Sequence, residues 1–176
     1  IGSTDEETIL KAENQIYWKI ENVIEKIIEK KSSTEEIYEI DMEINRLSFF
    51  VMRNISLKFS AKPETFLRYE KIALLEELGD SIRHYNKFSK KEKQELDLLS
   101  KFQKIVEKTR IFESKKEKQV LEEINKEIKN LKNKVSLKDK NSSIGKVFLR
   151  EIFDKFETIV ECLISIIIRE TITRKF

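Results

Sequence analysis

This chain has little of what most catalytic and metal-binding sites are made from. One cysteine, one histidine, one proline, three glycines and one tryptophan are spread over 176 residues. The single cysteine, Cys162, excludes an internal disulfide and a cysteine-rich zinc site. Its place inside the apolar run Ile159 to Ile168 marks it as a small buried hydrophobe rather than a nucleophile. With His84 as the only histidine, no pair of Glu-x-x-His elements can be built, and a ferritin-like di-iron bundle needs two. No glycine-rich loop is available to cradle a phosphate. The most apolar stretch, Leu163 to Ile168, is far shorter than the ~20 residues of a membrane helix. No signal peptide opens the chain. The expectation is a cytoplasmic protein without membrane insertion and without catalysis.

What is present is charge. Thirty-five basic and 32 acidic residues leave a net charge of +3. The two signs are interleaved, as on helices whose wet faces carry pairs three or four residues apart. Nucleic-acid binding would need the basic residues on one face. The lysine clusters at 90–91, 115–116 and 138–140 fall instead at two helix starts and a loop, where solubility is their usual role. No direct nucleic-acid partner is expected from this segment.

Helix signals are plain. Ser33-x-x-Glu36, Ser89-x-x-Glu92 and Ser114-x-x-Glu117 are capping-box patterns, Pro63 suits a first helical turn, and Asn141-Ser142-Ser143 offers caps for a last helix. Helices are expected near 5–31, 34–60, 63–87, 90–112, 115–137 and 143–173. Each has apolar residues at three- and four-residue steps: Ile16, Ile20, Val23 and Ile27 in the first, Leu96, Leu99, Phe102 and Val106 in the fourth. Short connections make sequential helices antiparallel neighbours. The fold class is therefore all-α, with two successive antiparallel three-helix units, 1–88 and 89–176.

The most informative segment is Leu75-Glu76-Glu77-Leu78-Gly79-Asp80. Glu76 and Asp80 are four apart and share a helix face, nearly opposite an expected core stripe of Leu74, Leu78, Ile82 and Tyr85. Gly79 costs about 1 kcal/mol of helix propensity relative to Ala, which suggests a close approach to the backbone. Leu149-Arg150-Glu151-Ile152-Phe153-Asp154 repeats the pattern in the sixth helix. Asp154 there lies opposite a stripe of Ile152, Phe156, Ile159 and Leu163. Two readings stay open. The acids form a solvated face neutralised by Arg46 and Arg83, or they hold a cation. Two acids on one helix are too few ligands for a cation. Further ligands would have to come from Glu39 or Glu43 of the second helix or from another chain, and His84, one turn beyond Asp80, is a third ligand or a hydrogen-bond partner of Asp80. Glu157 and Glu161 fall on the same side as Asp154. Phe49 and Phe50 project away from the stripe Ile37, Ile44, Val51 and Ile55, as partner-facing or doubly buried residues do.

These segments resemble the PhoU family, phosphate-signalling accessory proteins built from two three-helix repeats. Their third and sixth helices carry a Glu/Asp-x-x-x-Asp motif. Leu75 to Asp80 matches it, with Glu77 where a basic residue is usual. Glu43-Ile44-Asn45-Arg46-Leu47 is similar to the Glu-Val-Asp-Arg-Leu element of archaeal PhoU-like proteins. The resemblance implies a PhoU-like six-helix bundle that regulates phosphate uptake through a regulatory or transporter-associated protein partner, and a homo-oligomer. It also implies a metal ion (iron, zinc or nickel) on the outer acidic faces, with Glu76, Asp80, His84 and Asp154 as ligands and Glu39, Glu43, Glu157 and Glu161 in support. Arg150 departs from the family motif and breaks the second acid pair. Some archaeal members carry a small DNA-binding domain ahead of this part, and a chain starting at Ile1 fits a piece lacking one. The alternative is a structural bundle that oligomerises or spaces a larger regulator.

Overall fold

Asp5 opens the first helix: its carboxylate accepts the Thr8 N–H at 2.6 Å, satisfying one of the donors that every helix start leaves orphaned. In this computed structural model six helices follow among the described residues, α1 (Glu6–Glu29), α2 (Thr34–Phe59), α3 (Pro63–Phe88), α4 (Lys93–Lys115), α5 (Lys118–Lys134) and α6 (Ile144–Thr173). The structure describes residues 5–30, 33–59, 63–115, 118–135 and 143–173, and no strand occurs among them. The expected all-α class is thus what the chain adopts.

The caps explain where boundaries agree with the sequence and where they move. The Ser33 box forms: Ser33 Oγ accepts the Glu36 N–H at 3.1 Å and the Glu36 carboxylate accepts the Ser33 N–H at 3.0 Å. Pro63 begins α3, as its fixed φ favours. The Ser89 box does not form, because the Ser89 hydroxyl accepts the Lys91 N–H at 2.8 Å and donates to Glu95 at 2.6 Å. Lys91 takes a positive φ of 53°, and α4 starts only at Lys93. At the other end α4 runs through Ser114 to Lys115, past the expected cap. Glu117, Lys116, Lys138–Lys140, Asn141 and Ser142 lie outside the described residues. Ser143 caps α6 by accepting the Lys146 N–H at 3.2 Å.

Within the first three helices α1, α2 and α3 all touch one another, and α4, α5 and α6 do the same. The two trios meet through α3 against α6 and α1 against α4, while α3 and α4 do not pack on each other among the described residues. Exchanging every helix with the one three places along returns the same set of contacts. The α3–α6 pair carries this symmetry down to single residues. Glu77 meets Lys155, Ser81 meets Glu151, and His84 meets Phe148. Each step forward along α3 is matched by an equal step back along α6, so the pair is antiparallel in strict register. Leu75 and Leu149 are 74 residues apart. Applying that shift turns the Glu77–Lys155 contact into Glu151 with Ser81. The symmetry centre falls at Gly79 and Phe153, inside the two similar hexapeptides.

The core runs through both trios. The stripes of α1 and α6 are buried throughout, as are Ile37, Ile44, Val51 and Ile55 of α2. A fully buried aliphatic side chain of this kind contributes roughly 1.5–3 kcal/mol, which makes these stripes the main source of stability. In α3 the stripe is Leu75, Leu78, Ile82 and Tyr85, and Leu74 is only half buried. That shift arises because α3 is covered by α1, α2 and α6 rather than by one neighbour.

Candidate acidic site on helix three and its counterpart on helix six

Glu76 and Asp80 do lie together and half-exposed on α3. Burial, then Asp80, Glu77 and Asp41, push the Glu76 carboxyl above the usual carboxylate range, against a weaker pull from Lys155. The residue that completes this cluster is Asp41 of α2, only 3% exposed. It replaces both α2 acids expected from the sequence. Glu43 points to α1, where it pairs with Lys19, and Glu39 is exposed. Glycine at position 79 makes the approach possible: a Cβ there would sit 3.3 Å from Asp41 Oδ1 and 3.3 Å from two Ile44 side-chain carbons. The close approach expected at Gly79 is thus that of a neighbouring helix.

Arg83 bridges the two aspartates. Its guanidinium lies 2.9 Å from Asp41 Oδ2 and 2.7 Å from Asp80 Oδ1. Burial, then the Asp80 charge, raise the Asp41 carboxyl, while Arg83 and His84 draw it down. Asp41 Oδ1 and Asn45 Oδ1 are buried with no hydrogen-bond partner among the described residues. Arg46 takes no part and lies with Trp18, Lys19 and Glu43 between α1 and α2. The His84 ring packs on Phe88 and Phe148, with centroids 6.2 and 6.0 Å away. It serves as the polar edge of an aromatic cluster between α3 and α6.

In the second unit Asp154 is held by Lys132 of α5 at 2.6 Å and by Arg150 at 3.3 Å. Glu157 pairs with the same Lys132 and, at 3.9 Å, with Lys129. Glu161 is exposed. The two acidic segments meet at the α3–α6 seam through other residues. Lys155 reaches Glu77 at 3.1 Å and Glu151 at 3.3 Å, and Ser81 donates to Glu151 at 2.8 Å. Glu77 thus finds its partner, Lys155, on the opposite helix.

No family model matches the chain, and no curated protein or solved structure is significantly similar to it. The metal implied by the resemblance therefore has to be judged on these residues. Among the described residues no three histidine, cysteine, aspartate or glutamate side chains converge as a ligand set. The orphaned Asp41 Oδ1 would suit a cation, but the Arg83 guanidinium already provides the positive charge between Asp41 and Asp80. Asp154 is likewise shared between two bases, and Glu157 pairs with Lys132. The acids present do not fit a metal centre.

Two polar clusters escaped the sequence reading. Between α1, α3 and α4, Lys71 lies 3.0 Å from Glu13 and 2.5 Å from Glu113, while Arg68 lies 2.5 Å from both Glu13 and Glu6. Glu13 and Lys71 are each 3% exposed. The fully buried Tyr17 hydroxyl has no hydrogen-bond partner among the described residues, and burial, then Glu113 and Glu13, raise it well above a normal phenol. Near the α3–α4 link, Glu95 accepts from Ser89 at 2.6 Å and Ser143 at 2.5 Å. Gly145 leaves room there, since a Cβ would come within 2.4 Å of that carboxylate and oblige the Glu95 side chain to shift. Each of these clusters ties together helices distant in sequence. Cys162 is buried, and its thiol is pushed up to about 11, chiefly by burial, which leaves it inert at neutral pH.

Proposed function

We propose that this chain is a non-catalytic, PhoU-like regulator of phosphate uptake that acts by binding a partner protein and does not depend on a bound metal. The observation that supports this reading is the antiparallel α3–α6 seam, in which the two similar hexapeptides lie about one symmetry centre and Glu77–Lys155 and Ser81–Glu151 are symmetry-related contacts. A bundle of two three-helix repeats with similar motifs on its third and sixth helices is the arrangement the resemblance implies. The inert Cys162 thiol and a His84 packed among rings support a role without catalysis.

The test is phosphate uptake by cells lacking the gene for this chain, alongside elemental analysis of the purified protein after exposure to iron, zinc and nickel salts. Altered uptake restored by the chain, with metal well below one ion per chain, is the expected result. Stoichiometric metal lost in Glu76→Ala/Asp80→Ala would overturn the metal-independent part. Unchanged uptake would overturn the regulatory part and favour the second reading, a spacer or oligomerisation bundle. The pairing of Asp80, Asp154 and Glu157 with bases of the same chain favours that reading as well.

A further inference from the structure

Trp18, the only tryptophan, is 50% exposed on α1. A large indole left in water marks binding surfaces, where tryptophan is the residue most enriched among those that dominate affinity. It borders a trough of about 310 Å³ between α1 and α4, whose other walls include Glu21, Glu25, Gln103, Lys104 and Glu107. The walls are pinned together. Gln103 donates to the Glu21 carbonyl at 3.2 Å, and Arg110 grips the Glu21 carboxylate at 2.6 and 3.2 Å. The trough is therefore formed in advance of any partner, which lowers the entropy lost on binding.

Its charge runs against that of the whole chain. The net charge is +3, yet with Glu21 held by Arg110, and with Lys19, whose ammonium lies 5.4 Å from the Trp18 ring, held by Glu43, the trough's other charges are Glu25 and Glu107 against Lys104. Both glutamates are exposed, and Glu107 shares the Arg110 charge with Glu21. Ile111, one turn beyond Glu107, and Leu10, two turns before Trp18, continue the same helix faces and are 40% and 51% exposed. Apolar residues at helical spacing beside exposed acids complement a helix that is apolar on one side and basic at its border.

We infer that the α1–α4 trough receives a basic amphipathic helix of a partner protein, with an apolar anchor on Trp18 and a cation between Glu25 and Glu107. The inference rests on the partner-binding reading and names a surface for it.

The test is Trp18 emission during titration with a synthetic amphipathic peptide of leucine and arginine at helical spacing. A control peptide carries glutamate in place of arginine. A saturable blue shift is expected with the basic peptide only. Its affinity should fall at least roughly tenfold in Glu25→Lys/Glu107→Lys, whose exposed positions leave the fold intact. No shift, an equal shift with both peptides, or unchanged affinity in the double variant overturns the proposal. The double variant in the uptake assay separates the two readings. Loss of regulation supports the trough as the partner surface, whereas wild-type regulation overturns the trough alone.

Discussion

Replacing Lys71 with methionine is the sharpest probe of how this bundle is held together. The ammonium sits between two carboxylates, 3.0 Å from Glu13 and 2.5 Å from Glu113, and both Lys71 and Glu13 are 3% exposed. Methionine fills similar space but takes the nearest cation from Glu113 and leaves Glu13 with Arg68 alone. Removing one partner of a buried ion pair costs about 3–5 kcal/mol, a large part of the 5–15 kcal/mol typical of a whole domain. For a chain of this length that corresponds to a melting temperature lower by roughly 6–20 °C. The pH dependence follows from the same geometry. Burial pushes Glu13 up, but Lys71 and Arg68 pull harder and hold its carboxyl below the ordinary value of 4.5. Glu13 therefore contributes stability that is present above that value and lost as pH falls below it. Burial raises Glu113 despite Lys71. Without Lys71 the Glu113 carboxyl rises further while Glu13 keeps only Arg68, so the variant's deficit is greatest near neutrality and shrinks as acid protonates Glu113. Urea unfolding at about pH 7 and about pH 5 measures both effects. Adding Glu13→Gln and Glu113→Gln to Lys71→Met should restore much of the loss, because a wholly neutral replacement leaves no stranded charge. A Lys71→Met variant within about 1 kcal/mol of wild type at neutral pH would refute the argument.

Two further substitutions test the other polar clusters. Gly145→Ala drives a methyl group into the Glu95 carboxylate and should break its bonds to Ser89 and Ser143. A cost of about 1–3 kcal/mol is expected, read as a lower thermal midpoint, and an unchanged midpoint would show that Glu95 is dispensable as a tie. Arg83→Met removes the guanidinium shared by Asp41 and Asp80. With Asp80 part-exposed the loss is discounted to about 1–3 kcal/mol. Because Asp41 is already raised above 3.8 by burial and Asp80, the deficit should narrow as pH falls. A deficit equal at all pH values would assign it to lost side-chain contacts instead of charge.

The elements themselves were legible because apolar spacing and caps are local signals. Ile16, Ile20, Val23 and Ile27 read as one stripe and are one. The similarity of the two hexapeptides pointed to a relation between α3 and α6, and their crossed contacts supply its geometry. The Gly79 backbone was legible as a place of close approach, but not what approaches it. Nothing in the sequence order says that α2 presents Asp41 and turns Glu43 toward α1. A usable signal was nonetheless present. Asp41 interrupts the stripe of Ile37 and Ile44, Glu13 that of Ile9 and Ile16, and Lys71 precedes Leu75 and Leu78 at the same spacing. A charge in a core register must find a partner, because leaving it unpaired there is prohibitive. Three such positions on three helices could have been matched by sign. Glu95 ahead of Leu98 and Leu99 is a fourth. Ser89 was misread for a related reason: a serine ahead of a glutamate at the right spacing satisfies the capping pattern, but a second carboxylate three residues further on competes for the same hydroxyl.

The two repeats solve one electrostatic problem in different ways, and that difference bears on function. Asp80 and Asp154 occupy equivalent places on α3 and α6, and neither is left as an isolated charge. In the first unit the base, Arg83, belongs to α3 itself and reaches across to α2, whose buried Asp41 it must also balance. In the second unit the principal base, Lys132, comes from α5, and Arg150 adds a contact from within α6. A shared metal-binding role would hold the liganding acids free in both units, whereas neutralisation within each unit requires only that some nearby base exist. The second condition is met twice, by unrelated residues. Asp80 and Asp154 are therefore parts of the charge balance within each unit. The exposed carboxylates left over for recognition lie elsewhere, including Glu25 and Glu107 beside Trp18.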